Sequence, residues 1–100
     1  MVSQFKLTPA AELGLEEIAL YTDETFGPNQ TAAYMAGLNG SFELLAQFPG
    51  IGVACFELKP GLRRYRYQSH SIYYTVQDES VWIEALFHIR RRIRADLFDN

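Results

Sequence analysis

The sequence predicts a single α+β domain over residues 1–100, in the order β-α-α-β-β-β. A helical hairpin packs on a small twisted antiparallel sheet, and a short basic C-terminal segment follows. Three observations predict it. Apolar residues recur at helical spacing in two stretches before residue 49, and the period falls to two after Leu62. A chain of 100 residues, 48% of them apolar, suffices for one packed core and is too short for two.

Residues 2–7 alternate loosely, with Ser3, Phe5 and Leu7 on one side, which suits a short first strand. Thr8-Pro9 then starts a helix: Thr8 can cap free amides, and Pro9 at the first helical position loses nothing by lacking its N–H. Ala11, Leu15, Ile18, Ala19 and Thr22 share one face of this helix, with Glu12, Glu16 and Asp23 off it. Gly27-Pro28 ends it and opens a second helix from Asn29 to Gln47. Tyr34, Leu38, Phe42, Leu45 and Phe48 form its apolar stripe. Gly37 and Gly40 weaken it by about 1 kcal/mol each relative to Ala, and are expected to let the partner helix approach closely.

Pro49-Gly50-Ile51-Gly52 breaks the helical period, and Pro60-Gly61 makes a second turn. Leu62–Tyr67 and His70–Gln77 are strands joined at Gln68-Ser69, with Ile72, Tyr74 and Val76 on one face of the second. After a turn at Asp78-Glu79-Ser80, Val81, Ile83, Ala85 and Phe87 face one way in the last strand, and Trp82, Glu84, Leu86 and His88 the other. These three strands form an antiparallel meander. Ile89, Ile93 and Leu97 repeat every four residues, which allows a short C-terminal helix.

Composition narrows the function classes. No apolar run is long enough to span a bilayer, and the N-terminus lacks the layout of a signal peptide, so a cytoplasmic protein without membrane contact is expected. Cys55, the single cysteine, can form no internal disulfide and is expected to pack as a half-buried small hydrophobe. The net charge of −3 is unevenly divided. Residues 1–50 carry one Lys against six acids, and residues 51–100 carry eight Lys and Arg against six acids.

No phosphate-binding loop and no nucleophile elbow is present, and the expected catalytic, metal and cofactor sets are empty. His70 and His88 lack the spacing of a helical metal pair, yet sit on adjacent predicted strands where they can be neighbours. Arg63, Arg64 and Arg66 cluster on one strand, and Arg90, Arg91, Arg92 and Arg94 follow the last. Together they can form one basic surface suited to carboxylates or phosphates. Tyr73, Tyr74 and Trp82 are expected to pack the core, as strand aromatics ordinarily do.

Several segments, in order and with matching spacing, resemble ParE toxins of the RelE/ParE superfamily. They are Leu7-Thr8-Pro9-Ala10-Ala11 with Leu15-Glu16-Glu17-Ile18-Ala19 and Tyr21, and Phe42-Glu43-Leu44-Leu45-Ala46 with Pro49 and Gly52. The strand half adds Pro60-Gly61-Leu62-Arg63-Arg64, Ser69-His70-Ser71-Ile72-Tyr73-Tyr74, and Ile83-Glu84-Ala85-Leu86-Phe87-His88 with Arg90. The resemblance implies the toxin of a type II toxin–antitoxin module, associated with plasmid stabilization. A ParD-like antitoxin would neutralise it as a hetero-oligomer by wrapping an amphipathic segment around it. It also implies inhibition of DNA gyrase through protein binding, without sequence-specific contact to nucleic acid.

The alternative in the superfamily is a RelE-type endoribonuclease that cuts messenger RNA on the ribosome. Such enzymes carry a basic residue in the middle strand and a Tyr or His near the C-terminus. Here Ser71 stands at the strand position and no Tyr follows Tyr74, so a non-enzymatic toxin is expected. Many ParE chains place an acid shortly after the final His-x-Arg, where this chain reads His88-Ile89-Arg90-Arg91-Arg92. The residues expected to meet antitoxin or target are Arg63, Arg64, Arg66, His70, His88, Arg90, Arg91, Arg92 and Arg94, with apolar antitoxin residues filling a groove beside the helices.

Overall fold

The computed structural model describes residues 4–99. Strand β1 (Gln4–Leu7) leads into helices α1 (Pro9–Phe26) and α2 (Pro28–Gln47), and a 3₁₀ turn at Pro49–Ile51 follows. Four more strands come next: β2 (Val53–Ala54), β3 (Arg63–Tyr67), β4 (His70–Gln77) and β5 (Ser80–His88). A 3₁₀ turn at Ala95–Phe98 closes the order. The part of the expected first strand at residues 2 and 3 lies outside the described residues.

The sheet order is β1-β5-β4-β3-β2. The meander β3-β4-β5 is antiparallel, as its period predicts. β1, however, lies parallel to β5, so the sheet is mixed. The helical hairpin carries the chain from β1 at one edge to β2 at the other, and the meander then returns it to β5 beside β1. β2, a two-residue strand on the far edge, had no period by which to be read.

Thr8 anchors the start of α1 to the sheet. Its Oγ1 accepts the Ala11 amide at 3.1 Å and donates to the Glu84 carbonyl at 2.8 Å. Pro9 follows at the first helical turn. Thr8→Ala is expected to lose about 1–2 kcal/mol in urea unfolding, the range of a lost N-cap hydroxyl. A change under about 0.3 kcal/mol would show that water replaces both bonds.

The buried face of α1 is the one its periodicity marks: Ala11, Ile18 and Thr22 are buried, and Leu15 packs beside them. On α2, Leu38, Phe42 and Leu45 are buried, whereas Phe48, the residue after the helix, is exposed. Gly37 does not serve α1. A Cβ there would collide with the ring of Tyr67, so the glycine makes room for a β3 side chain instead.

In β5 the expected alternation fails at one residue. Tyr74 is in register with Ile83, but Tyr73 is in register with Ala85, so Glu84 is an inserted bulge residue. One extra residue exchanges the faces of everything beyond it. Val81 and Ile83 therefore join Ile72, Tyr74 and Leu86 beneath the helices. Ala85 and Phe87 instead turn to the opposite face with Tyr73. Glu84 itself is held by Lys59 Nζ at 3.2 Å and by Thr75 Oγ1, which donates at 2.8 Å.

That opposite face carries a second, smaller core of Cys55, Leu62, Tyr73, Ala85 and Phe98. The expected C-terminal helix is absent among the described residues. Ile93 and Leu97 do pack, as their spacing suggests, but a 3₁₀ turn delivers Phe98 onto Tyr73, with ring centroids 5.1 Å apart. Cys55 is more deeply buried than expected, and burial pushes its thiol pKa up. No helix among the described residues is long and apolar enough to cross a membrane.

Candidate functional site

Helix α1 buries one face on the sheet, yet Leu13, Tyr21 and Phe26 are all more than half exposed. They border three adjoining depressions that run along the helix. The first, about 280 Å³, lies between Leu13, Gly14 and Glu17 on one side and Leu86, Phe87, Arg91 and Leu97 on the other. The second, about 290 Å³, shares Gly14, Glu17, Leu86, Phe87 and Arg91 with it and adds Ile18, Tyr21, His70 and His88. The third, about 230 Å³, shares Tyr21, His70 and His88 and continues past Thr22, Phe26, Gln30 and Tyr34. From Ala10 to Phe26 the groove follows some four turns of helix, ~24 Å at 1.5 Å per residue.

His70 and His88 sit at its centre. They are a cross-strand pair in register, with ring centroids 5.4 Å apart and nearly perpendicular planes. The even spacing from Ile72 and Leu86 puts both on the helix-facing side. Tyr34 of α2 reaches His70 Nδ1 with its hydroxyl at 2.7 Å and receives the Ser69 amide at 3.3 Å. The Arg90 amide donates to His88 Nδ1 at 3.1 Å. Burial, and secondarily the neighbouring His88, hold the His70 pKa below the ordinary histidine value. Burial pushes the Tyr34 pKa up.

The seven arginines do not form one surface. Arg63, in register with Tyr74, donates to the Gly52 carbonyl at 2.9 Å, with its guanidinium 5.7 Å from the Phe56 ring centre. Arg64 and Arg66 point to the other side of the sheet, in register with Tyr73 and Ser71. Arg66 Nε is tied to the Gln68 carbonyl at 2.7 Å. Arg91 lies over the Phe87 ring, 4.7 Å from its centre, and lines the groove. Arg94 pairs with Asp96 at 3.2 Å, while Arg90 and Arg92 are exposed. Alternating direction along β3, and local acceptors for the rest, scatter charges that cluster in sequence.

Of the residues expected at a binding surface, His70, His88 and Arg91 thus come together. Leu13, Gly14, Glu17, Tyr21 and Phe26 were not among those expected. Their signal was present in part, since large apolar residues at 13 and 21 fall off the stripe formed by Ala11, Ile18 and Thr22, whereas Phe26, four residues after Thr22, continues it. Among the described residues no group of three or more His, Cys, Asp or Glu is placed to hold a metal ion.

Comparison with known proteins identifies the family. A family model described as ParE toxin of type II toxin-antitoxin system, parDE, matches residues 5–93. Toxin ParE1 of Mycobacterium tuberculosis (strain ATCC 25618 / H37Rv) is 34% identical over 96 residues, covering 96% of this chain and 97% of that protein. Toxin ParE1 of Caulobacter vibrioides is 32% identical over 72 residues, covering 72% of this chain and 75% of that protein. In a solved structure of the chromosomal ParDE TA system from P. aeruginosa, one chain superposes with a TM-score of 0.76. It covers 89% of this chain and 98% of its own, at 18% identity, a likeness of fold. With the family match running from β1 to beyond β5, this chain belongs to the ParE toxins of type II toxin–antitoxin systems.

Proposed function

We propose that this toxin is neutralised by a ParD-like antitoxin whose amphipathic segment lies in the α1 groove, and that the free toxin acts by binding DNA gyrase. The groove carries the proposal. It is long enough for about four helical turns and bordered by exposed Leu13, Tyr21 and Phe26. Glu17 of α1 lines one bank, and the other holds Arg91, with Arg90 and Arg92 nearby in sequence. Apolar burial supplies most of the affinity, and the charges set rate and orientation. Binding therefore weakens with salt and persists.

The target contact is assigned to the segment from His88 to Arg94, which is basic and projects from the end of β5. Ile93 is committed to the second core, so Ile89 is the apolar residue this segment can offer. Purified toxin mixed with gyrase, ATP and supercoiled DNA is expected to accumulate cleaved DNA. Charge reversal of Arg90, Arg91 and Arg92 together is expected to abolish the effect. Exposed substitutions alter stability by about 0.5 kcal/mol, with a similar loss from the Arg91–Phe87 contact. A folded triple variant that still poisons gyrase removes the tail from the contact. Wild-type toxin inert toward gyrase at large excess removes gyrase as the target.

One observation favours the ribonuclease alternative: His70, His88 and Arg91 share a cavity. Two others weigh against it. Arg64 and Arg66 lie on the opposite side of the sheet from the histidines, and α1, with five acids and no basic residue, repels a phosphodiester. Transcripts mapped by primer extension after induction are expected to show no codon-positioned cuts. New cuts lost in His88→Ala would establish the nuclease instead.

A further inference from the structure

We infer that the centre of the groove, where His70, His88 and Arg91 meet, is a carboxylate subsite that takes one Asp or Glu side chain of the antitoxin segment. This rests on the antitoxin assignment above and adds to it the chemistry recognised at the middle of the groove.

The hydrogen bonds decide what the histidines present. His88 Nδ1 accepts the Arg90 amide at 3.1 Å, so in the neutral ring the proton sits on Nε2. Tyr34 has one hydroxyl proton. It lies 2.7 Å from His70 Nδ1 and 3.4 Å from the Tyr67 carbonyl, and its oxygen already receives the Ser69 amide. Assigning that proton to the shorter contact makes His70 Nδ1 an acceptor too, with its Nε2 carrying hydrogen. Two N–H groups on adjacent strands are thereby left as donors, and both rings line the same two depressions. A metal ion requires a bare lone pair at that nitrogen; a carboxylate requires the hydrogens the rings already hold. Arg91 lines the same cavity, with its guanidinium over the Phe87 ring, and adds a permanent positive charge and further donors.

A phosphate group would use the same donors, but the surroundings select a protein side chain. Glu12, Glu16, Glu17, Asp23 and Glu24 all lie on α1, which repels a nucleic-acid backbone along its length. The apolar margin of Leu13, Tyr21 and Phe26 fits a peptide segment. The groups facing the histidine pair are Glu17 and Tyr21 from α1, Tyr34 from α2, Tyr67 beside Tyr34 from β3, and Arg91 beyond β5. Glu17 is the one acid lining this cavity, and it makes no hydrogen bond to either ring.

A consequence in pH follows. The chain has two histidines, and both are here. In the free toxin, burial keeps His70 below its ordinary pKa, so the folded state binds fewer protons than the unfolded one across the histidine range, and stability falls as pH falls through it. A bound carboxylate reverses the preference, because it stabilises the imidazolium. Binding therefore takes up protons and tightens from about pH 8 to about pH 6, a range in which carboxylates remain ionised.

The probe is the antitoxin encoded beside the toxin gene, purified at full length and titrated calorimetrically at fixed ionic strength. Wild-type toxin is expected to bind about tenfold more tightly at the lower pH, the change given by one pKa unit. The dependence is expected to vanish in His70→Gln/His88→Gln and to shrink in His88→Gln alone, an exposed site that keeps the test available should the double variant unfold. One antitoxin acid, replaced by its amide, is expected to reproduce the flat profile. A pH dependence identical in wild type and both variants overturns the subsite, as does its disappearance in Glu17→Gln alone, which would make Glu17 the acceptor. Competition by a single-stranded oligonucleotide would overturn it too. Antitoxin binding unaffected by Gly14→Leu overturns the groove itself, whereas a flat profile with Gly14→Leu still blocking overturns only the subsite.

Discussion

Gly52→Ala is expected to destabilise the fold by about 3 kcal/mol. Overpacking costs about 1–3 kcal/mol, and two strained buried hydrogen bonds add roughly 1 kcal/mol each at most. The backbone at Gly52 is ordinary extended chain, with φ −74° and ψ 156°, so the demand is for space alone. A Cβ there would meet the hydroxyl of Tyr74, its Cε1 at 2.7 Å and the Arg64 carbonyl oxygen at 2.9 Å. Neither neighbour can yield. Tyr74 is fully buried, its hydroxyl donating to the Pro49 carbonyl at 2.7 Å and accepting the Gly52 amide at 2.9 Å, and Arg64 is in the β2–β3 ladder. Burial also pushes the Tyr74 pKa up, so the phenol stays protonated and its donor bond persists through the neutral range. For a domain of this size the loss corresponds to a drop of roughly 12–24 °C in Tm. Gly50→Ala is the control, because nothing lies within 4 Å of its Cβ position. Urea unfolding that shows less than about 1 kcal/mol at Gly52 would mean the Pro49–Val53 turn shifts freely.

Gly14→Leu is expected to reduce antitoxin affinity about 30- to 700-fold while leaving the toxin folded, the scale set by losing a central hot spot worth roughly 2–4 kcal/mol. Gly14 lines two of the three depressions, and its Cβ position lies 3.5 Å from the Leu86 carbonyl, an ordinary contact. A methyl group fits there, and a leucine side chain must project into the groove. Gly14→Ala separates the two effects. It stabilises α1 by up to about 1 kcal/mol through helix propensity and is expected to leave binding nearly unchanged. Titration of both variants with the antitoxin, alongside thermal unfolding, checks the pair. Wild-type affinity in a folded Gly14→Leu would place the antitoxin elsewhere on the toxin.

Sequence by itself determined the order of every strand and helix but β2, the buried face of each helix and the antiparallel meander, because each has a period long enough to be read. The cap at Thr8 and the break at Gly27-Pro28 have local causes and were legible for that reason. That the strands carrying His70 and His88 are neighbours was legible too, but their pairing was not: the turn register of Gln77 with Ser80 would set His70 opposite Phe87, and the bulge moves its partner to His88. Tertiary structure decided the rest. The parallel pairing of β1 with β5 depends on a 38-residue helical hairpin, counted over α1 and α2, delivering the chain to the far edge and on the meander returning it across the sheet, and no local pattern encodes that return. The bulge at Glu84 exists because Thr8, Lys59 and Thr75 hold it from three distant segments, and its single extra residue reversed the faces assigned to Ala85, Phe87, Leu86 and His88. The arginines, clustered in sequence, were dispersed by strand alternation and by whichever carbonyl or aromatic ring stood near. The groove's position and lining belong to this second class, since it is the space left where α1 meets the ends of β4 and β5. Periodicity reports which face of an element is buried. What meets its other face is settled by contacts between segments far apart in the chain.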